Sequence, residues 1–183
     1  MLATLIGRDQ ATNIGHESLR DLLAQLSNSL NTNLYYLSLY VALTIPDMCG
    51  ALDSTDGRAS GNEYVKWFDK HVAPKYRGFL SGEECYEFRC SLLHQGQLRP
   101  RKGRYSRMVF VEPAATTNVL HNNIINDALN IDVRLFCKDM IDSAIQWLDQ
   151  VEGTALFKTN FEKFVRRYPT GLAPYIGGVP VIA

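Results

Sequence analysis

Leucines recur at helical spacing soon after the start of the chain. Leu19, Leu22, Leu23, Leu26 and Leu30 repeat every three or four residues, which predicts an amphipathic helix from about His16 to Leu30. Residues 1–14 carry little pattern and read as a lead-in. From Thr32 to Leu43 the apolar residues Leu34, Tyr35, Leu37, Leu39, Val41 and Leu43 run nearly all the way round, the mark of a helix buried on several sides. Pro46 is expected to kink or stop that helix, with Met48 to Leu52 as a further turn. Asp53 to Gly61, DSTDGRASG, is a loop by composition. A short amphipathic stretch follows from Glu63 to Val72. Ser81-Gly-Glu-Glu84 then has the Ser-x-x-Glu form of a capping box. It opens a helix to about His94, stopped by Gly96.

Beyond Gly96 the pattern changes. Gln97 to Pro113 contains a basic turn and then the β-rich run Met108 to Val111, read as an irregular arm or small hairpin over residues 97–113. Ala114 to Asn126 fits no single element. Asp127 to Val151 is the longest helix candidate, with Ile131, Leu135, Ile141, Ile145 and Leu148 as its spine. Glu152 to Tyr168 reads as a last helix. The Gly- and Pro-rich tail, residues 169–183, is expected to pack as an extended strap or fray. The fold class that emerges is mainly α: a single domain over residues 1–183, a bundle of about five to six helices with a short β-hairpin or arm.

Composition changes this picture only in part. The chain has 183 residues, 46% hydrophobic and 21% charged, enough for one ordinary globular core. Lys plus Arg equals Asp plus Glu at 19 each, so no global basic field recruits nucleic acid or an anionic membrane. Cys49, Cys85, Cys90 and Cys137 form no Cys-x-x-Cys pair, and no His stands at zinc-finger spacing from them. With no secretory pattern at the N-terminus and no window of about 18 apolar residues, the expectation is a cytoplasmic protein with reduced thiols, no membrane contact and no cofactor.

Candidate chemistry concentrates between Glu83 and Gly96, EECYEFRCSLLHQG. At about 100° per residue, Cys85, Phe88, Leu92 and Gly96 share a core-facing stripe. Arg89 lies about 40° off that stripe and His94 about 140° further round, with Tyr86, Cys90 and Leu93 between them. Such a mixed face suits packing against a partner, so a homodimer through this helix is expected. Arginine stays charged and holds phosphate bidentately, while histidine moves protons near neutrality. RNA carries its own nucleophile in the 2′-hydroxyl, so a base, a phosphate clamp and in-line geometry suffice for cleavage. Structural alternatives stand beside this. Arg89 could pair with Glu84 or with a carboxylate on a neighbouring helix, and His94 could complement the helix dipole. Glu87, Cys90 and His94 share one face and could ligate a metal, although no second ligand cluster accompanies them.

The Arg-x4-His spacing of Arg89 and His94, late in a helical domain, resembles the HEPN superfamily. The resemblance implies a homodimer with the motif in its cleft, and metal-independent RNA cleavage in toxin–antitoxin, abortive-infection or other defence systems. It also implies Arg89 and His94 as the catalytic pair, and an antitoxin or other protein partner. Cys90 and Gly96 depart from the Asn, Asp or His after the Arg, and the Tyr two residues after the His, frequent in that family. The cations Arg99, Arg101, Lys102, Arg104 and Arg107, following directly, are candidates to guide an RNA backbone toward His94. Asp47, Asp53 and Asp56 read as solvated turn residues, and His71 and His121 lack partners at any diagnostic spacing. A non-catalytic helical module binding a protein or nucleotide partner is the alternative.

Overall fold

The computed structural model describes residues 14–99, 103–113 and 119–183. Among these residues there are six α-helices: α1 (Ile14–Asn31), α2 (Tyr35–Asp53), α3 (Gly61–His71), α4 (Gly82–Gln95), α5 (Val133–Val151) and α6 (Ala155–Phe161). A short 3-10 turn spans Ala73–Tyr76. The protein is therefore mainly α with small β pieces, as its periodicity predicts. None of these helices is long and apolar enough to cross a membrane. The expected lead-in lies, up to residue 13, outside the described residues.

The centre of the bundle is α2, against which α1, α3, α4, α5 and α6 all pack. It continues through Pro46, which is buried inside it, so the stop expected there does not occur. A proline removes one N–H and crowds one carbonyl, and burial among five other helices outweighs that local cost. The predicted burial on several sides holds for the C-terminal half of α2 but not for its start, where Tyr36 and Leu37 are exposed. Gly50 explains how closely α3 approaches: a β-carbon there would lie 2.8 Å from the Glu63 carbonyl oxygen. At the far end of α2, the Asn160 amide of α6 donates to the carbonyls of Leu52 (3.1 Å) and Ser54 (2.8 Å), answering acceptors that a helix terminus leaves open.

Helix α4 starts and stops as its sequence dictates. Ser81 accepts from the Glu84 N–H while the Glu84 carboxylate accepts from the Ser81 N–H, completing the capping box. Gly96 ends the helix in the left-handed conformation, φ 65°. The stripe Cys85, Phe88 and Leu92 is buried.

The β structure differs from the expectation. Strand β1 (Arg107–Val111) forms, but its partner is β3 (Ala128–Asp132), in parallel. The hairpin is instead β2 (Asn123–Ile125) with β3, antiparallel, giving the order β1-β3-β2. Its two-residue turn, Asn126-Asp127, takes positive φ at both positions (49° and 61°), the geometry that matches strand twist and that Asn and Asp tolerate. Asp127 to Asp132 is thus turn and strand rather than the first turns of a helix. All five β3 residues are buried, and Asp132 caps α5 by accepting from the Leu135 N–H at 3.0 Å.

The predicted last helix, Glu152 to Tyr168, is also shorter than expected. Thr154 caps α6, which ends at Phe161. The tail is neither strap nor fray but doubles back on itself: β4 (Arg167–Tyr168) pairs with β7 (Val181–Ile182), and β5 (Gly171–Leu172) with β6 (Ile176–Gly177).

Arg104 locks the arm to α4. Its guanidinium meets Glu84 through two bonds, Nε to Oε1 at 2.6 Å and Nη2 to Oε2 at 2.8 Å, and also reaches the Gly78 carbonyl. Burial alone would raise the Glu84 carboxyl; Arg104 and the Ser81 N–H and hydroxyl outweigh it and hold it below the usual range. Glu84→Ala should cost about 2–3 kcal/mol, since it removes the box and unpairs Arg104. Arg104→Ala should cost nearer ~1 kcal/mol because its side chain is largely exposed and screened. A carboxyl depressed in the folded state contributes stability that is present above its unfolded value, about 4.3, and is lost as pH falls through the folded value. Denaturant melts across the acid range should show this loss in wild type and its absence in Glu84→Gln.

Candidate functional site

Arg89 projects from α4 toward α2. Its Nε donates to Asp47 Oδ2 at 2.8 Å, and the two side chains are only 20% and 15% exposed. The carboxylate on a neighbouring helix, one of the alternatives open from the sequence, is therefore Asp47. Glu84, the other, belongs to Arg104. Asp47 is itself a correction: it is a residue of α2, not a solvated turn residue. The misreading follows from ending the helix at Pro46, which hid the fact that Asp47 continues an α2 face.

The other edge of the guanidinium faces His94. Arg89 Nη1 lies 3.4 Å from His94 Nε2 and 4.0 Å from Cys90 Sγ. Arginine can only donate, so in this arrangement Nε2 accepts and the ring proton sits on Nδ1. The long arginine side chain closes the gap of about 140° that separates the two positions around the helix. Behind the pair, the Arg89 guanidinium stands 6.0 Å from the Tyr86 ring centroid, and Tyr86 leans on Tyr64 of α3 with ring centroids 5.2 Å apart. The mixed face of α4 is thus partly covered by the protein's own α3.

Burial pushes the Asp47 carboxyl above its ordinary range, and Arg89 draws it back only in part. For Arg89, burial works against the charge, but Asp47 more than offsets it, so the guanidinium holds its proton more tightly than usual. The pair is thus held together against a real desolvation cost.

The basic arm divides. Arg104 is bound to Glu84. Arg99 and Arg107 line one groove of about 550 Å³, whose other described walls are Gln97, Leu98, Met108, Val109 and Phe110. Arg101 and Lys102 lie outside the described residues. A second concavity of about 350 Å³ borders Tyr86, Glu87 and Gly61. Neither Arg89 nor His94 lines either of these concavities; His94 is exposed and Arg89 half-buried beside it. Glu87, Cys90 and His94 do not converge, and among the described residues no three His, Cys, Asp or Glu side chains group closely enough for a metal ion.

Two measurements follow from this geometry. Arg89→Ala should destabilise by about 1–3 kcal/mol by leaving Asp47 half-buried and unpaired, and a cycle with Asp47→Asn and Arg89→Gln should return a coupling of about 1–2 kcal/mol in denaturant melts. For the cysteines, Cys49, Cys85 and Cys137 are buried and Cys90 is half-buried, all free. Burial pushes the Cys49 thiol well above its ordinary value and those of Cys85 and Cys137 up to about 12. One thiol, Cys90, should therefore react with a thiol reagent in the native protein, and all four after denaturation; a second fast native thiol would contradict this packing.

No protein-family model, no curated protein and no solved structure matches the chain.

Proposed function

We propose that this chain is a HEPN-like, metal-independent endoribonuclease that acts as a homodimer in the cytoplasm, in a defence or toxin–antitoxin setting with an antitoxin or other protein partner. The observation that carries the reading is the approach of Arg89 to within 3.4 Å of His94 at the open end of α4, with the guanidinium oriented by Asp47. Arg89 holds the non-bridging oxygens of the scissile phosphate. As the phosphate takes the guanidinium, the His94 Nε2 freed from Arg89 takes the proton from the neighbouring 2′-hydroxyl, the 2′-oxygen attacks phosphorus, and the P–O5′ bond breaks. The leaving 5′-oxygen takes a proton from an acid, for which the His94 of a second copy is available in a dimer. The products are a 2′,3′-cyclic phosphate and a 5′-hydroxyl. Arg99 and Arg107 add sequence-independent attraction for the backbone.

A second reading is favoured by one specific observation. The Asp47–Arg89 ion pair already satisfies part of the guanidinium within the protomer, which suits a non-catalytic helical module that binds a protein or nucleotide partner.

Cleavage of a generic single-stranded RNA by the purified protein tests the first reading. Wild type should cleave it, equally in EDTA. His94→Ala should lose about 10²- to 10⁴-fold in rate with a stability change of only about 0.5 kcal/mol, since His94 is exposed. A wild type without activity, or a His94→Ala variant as active as wild type, sinks the nuclease reading and leaves the binding module.

A further inference from the structure

One long stretch of the chain carries no charge and leaves several large apolar side chains bare. Residues 22–46 contain no Asp, Glu, Lys, Arg or His, and within that span Leu34, Tyr36, Leu37 and Tyr40 are 52%, 82%, 56% and 36% exposed. At about 100° per residue Tyr36, Tyr40 and Leu37 fall within one third of the circumference of α2, so they form one strip along its first turns. The Tyr35 hydroxyl accepts from Arg134 Nη2 at 3.2 Å, which brings the start of α5 alongside, with Leu135 also exposed. No described element of the chain covers these side chains.

We infer that this face of α2 docks a second copy of the chain, α2 against α2, about a two-fold axis. Three features select that occupant. The strip of Leu34, Tyr36, Leu37 and Tyr40 carries no charge of its own, and Arg134 borders it against Tyr35, so a strongly charged partner would find little to complement on the strip itself. Its Tyr and Leu composition is that of an interface centre rather than an ordinary rim. Its area suffices: these side chains expose on the order of 500 Å², and symmetry doubles this to about 1,000 Å², the lower limit for a specific interface. The mixed face of α4 is the weaker candidate, because Tyr86 is already half-buried and packed on Tyr64. Tyr36, Tyr40 and Asp47 lie within about 40° of one another around α2, so the strip leads toward the carboxylate that holds Arg89. The inference stands on this surface alone and does not need the nuclease chemistry.

The test is the oligomeric state of the full chain by sedimentation or light scattering at micromolar concentration. Wild type should be a dimer, and the double variant Tyr36→Glu/Leu37→Glu should weaken self-association by at least about tenfold with helical content unchanged. Leu37→Glu mixed with Leu37→Lys should associate more tightly than either alone. If the variants fail to fold, hydrogen exchange of wild type serves instead: residues 34–41 should lose protection on dilution. A monomeric wild type, or a dimer unmoved by these substitutions, overturns the inference. So does greater dye binding at this face after deletion of residues 1–13, which would make the chain's own N-terminal segment the occupant. Dimerisation without RNA cleavage would uphold this surface and sink the nuclease reading; cleavage by a dimer that these substitutions leave intact would overturn this surface and let the nuclease reading stand.

Discussion

Gly50 sits where α2 and α3 cross, and its missing side chain sets the spacing on which the site depends. A β-carbon there would press on the Glu63 carbonyl at 2.8 Å, so any larger residue must push α3 away from α2. Helix α4 packs on both. Asp47 lies one turn before Gly50, and its partner Arg89 comes from α4, so their 2.8 Å contact inherits the closeness of that crossing. A tight backbone approach in the core is thereby converted into the aim of a guanidinium at the surface.

The ion pair is not an economical way to hold two helices together. Taking both charges partly out of water costs about as much as their attraction returns, and apolar side chains of similar volume would hold the helices at least as well. What the pair supplies is direction. One edge of the Arg89 guanidinium is fixed by Asp47, which leaves the other facing His94. The same bond offsets part of the arginine's charge, so it weakens attraction for a phosphate while sharpening geometry. That tension is why one arrangement suits either of the two proposed roles.

Cations on the arm divide in the same manner between structure and surface. Arg104 joins the arm to the N-terminal cap of α4 through Glu84 and is stacked 5.1 Å from the Tyr105 ring centroid, while Arg99 and Arg107 border an apolar-floored groove. A run of positive charge in a sequence is therefore a poor count of the charge available to a ligand: Glu84, brought in from 20 residues away, takes up Arg104.

Elements whose instructions are local can be read directly along the chain. The capping box at Ser81 and Glu84, the glycine stop at Gly96 and the buried stripe of Cys85, Phe88 and Leu92 need only neighbouring residues to operate, and so the motif helix was legible almost to the residue. The leucine repeat of α1 was equally plain. The rest depends on residues that packing brings together from far apart in the chain. Pro46 remains inside α2 because packing on all sides outweighs one lost hydrogen bond, and with that helix continued, Asp47 becomes a site residue. Asp127 to Asp132 became turn and strand because β1, some 20 residues earlier in the chain, supplies a ladder that local helical periodicity cannot register. The pairing of Arg104 with Glu84, and of Arg89 with Asp47, spans 20 and 42 residues. An ion pair between side chains so far apart leaves no spacing to read: it exists only once helix packing has fixed where each long side chain can reach.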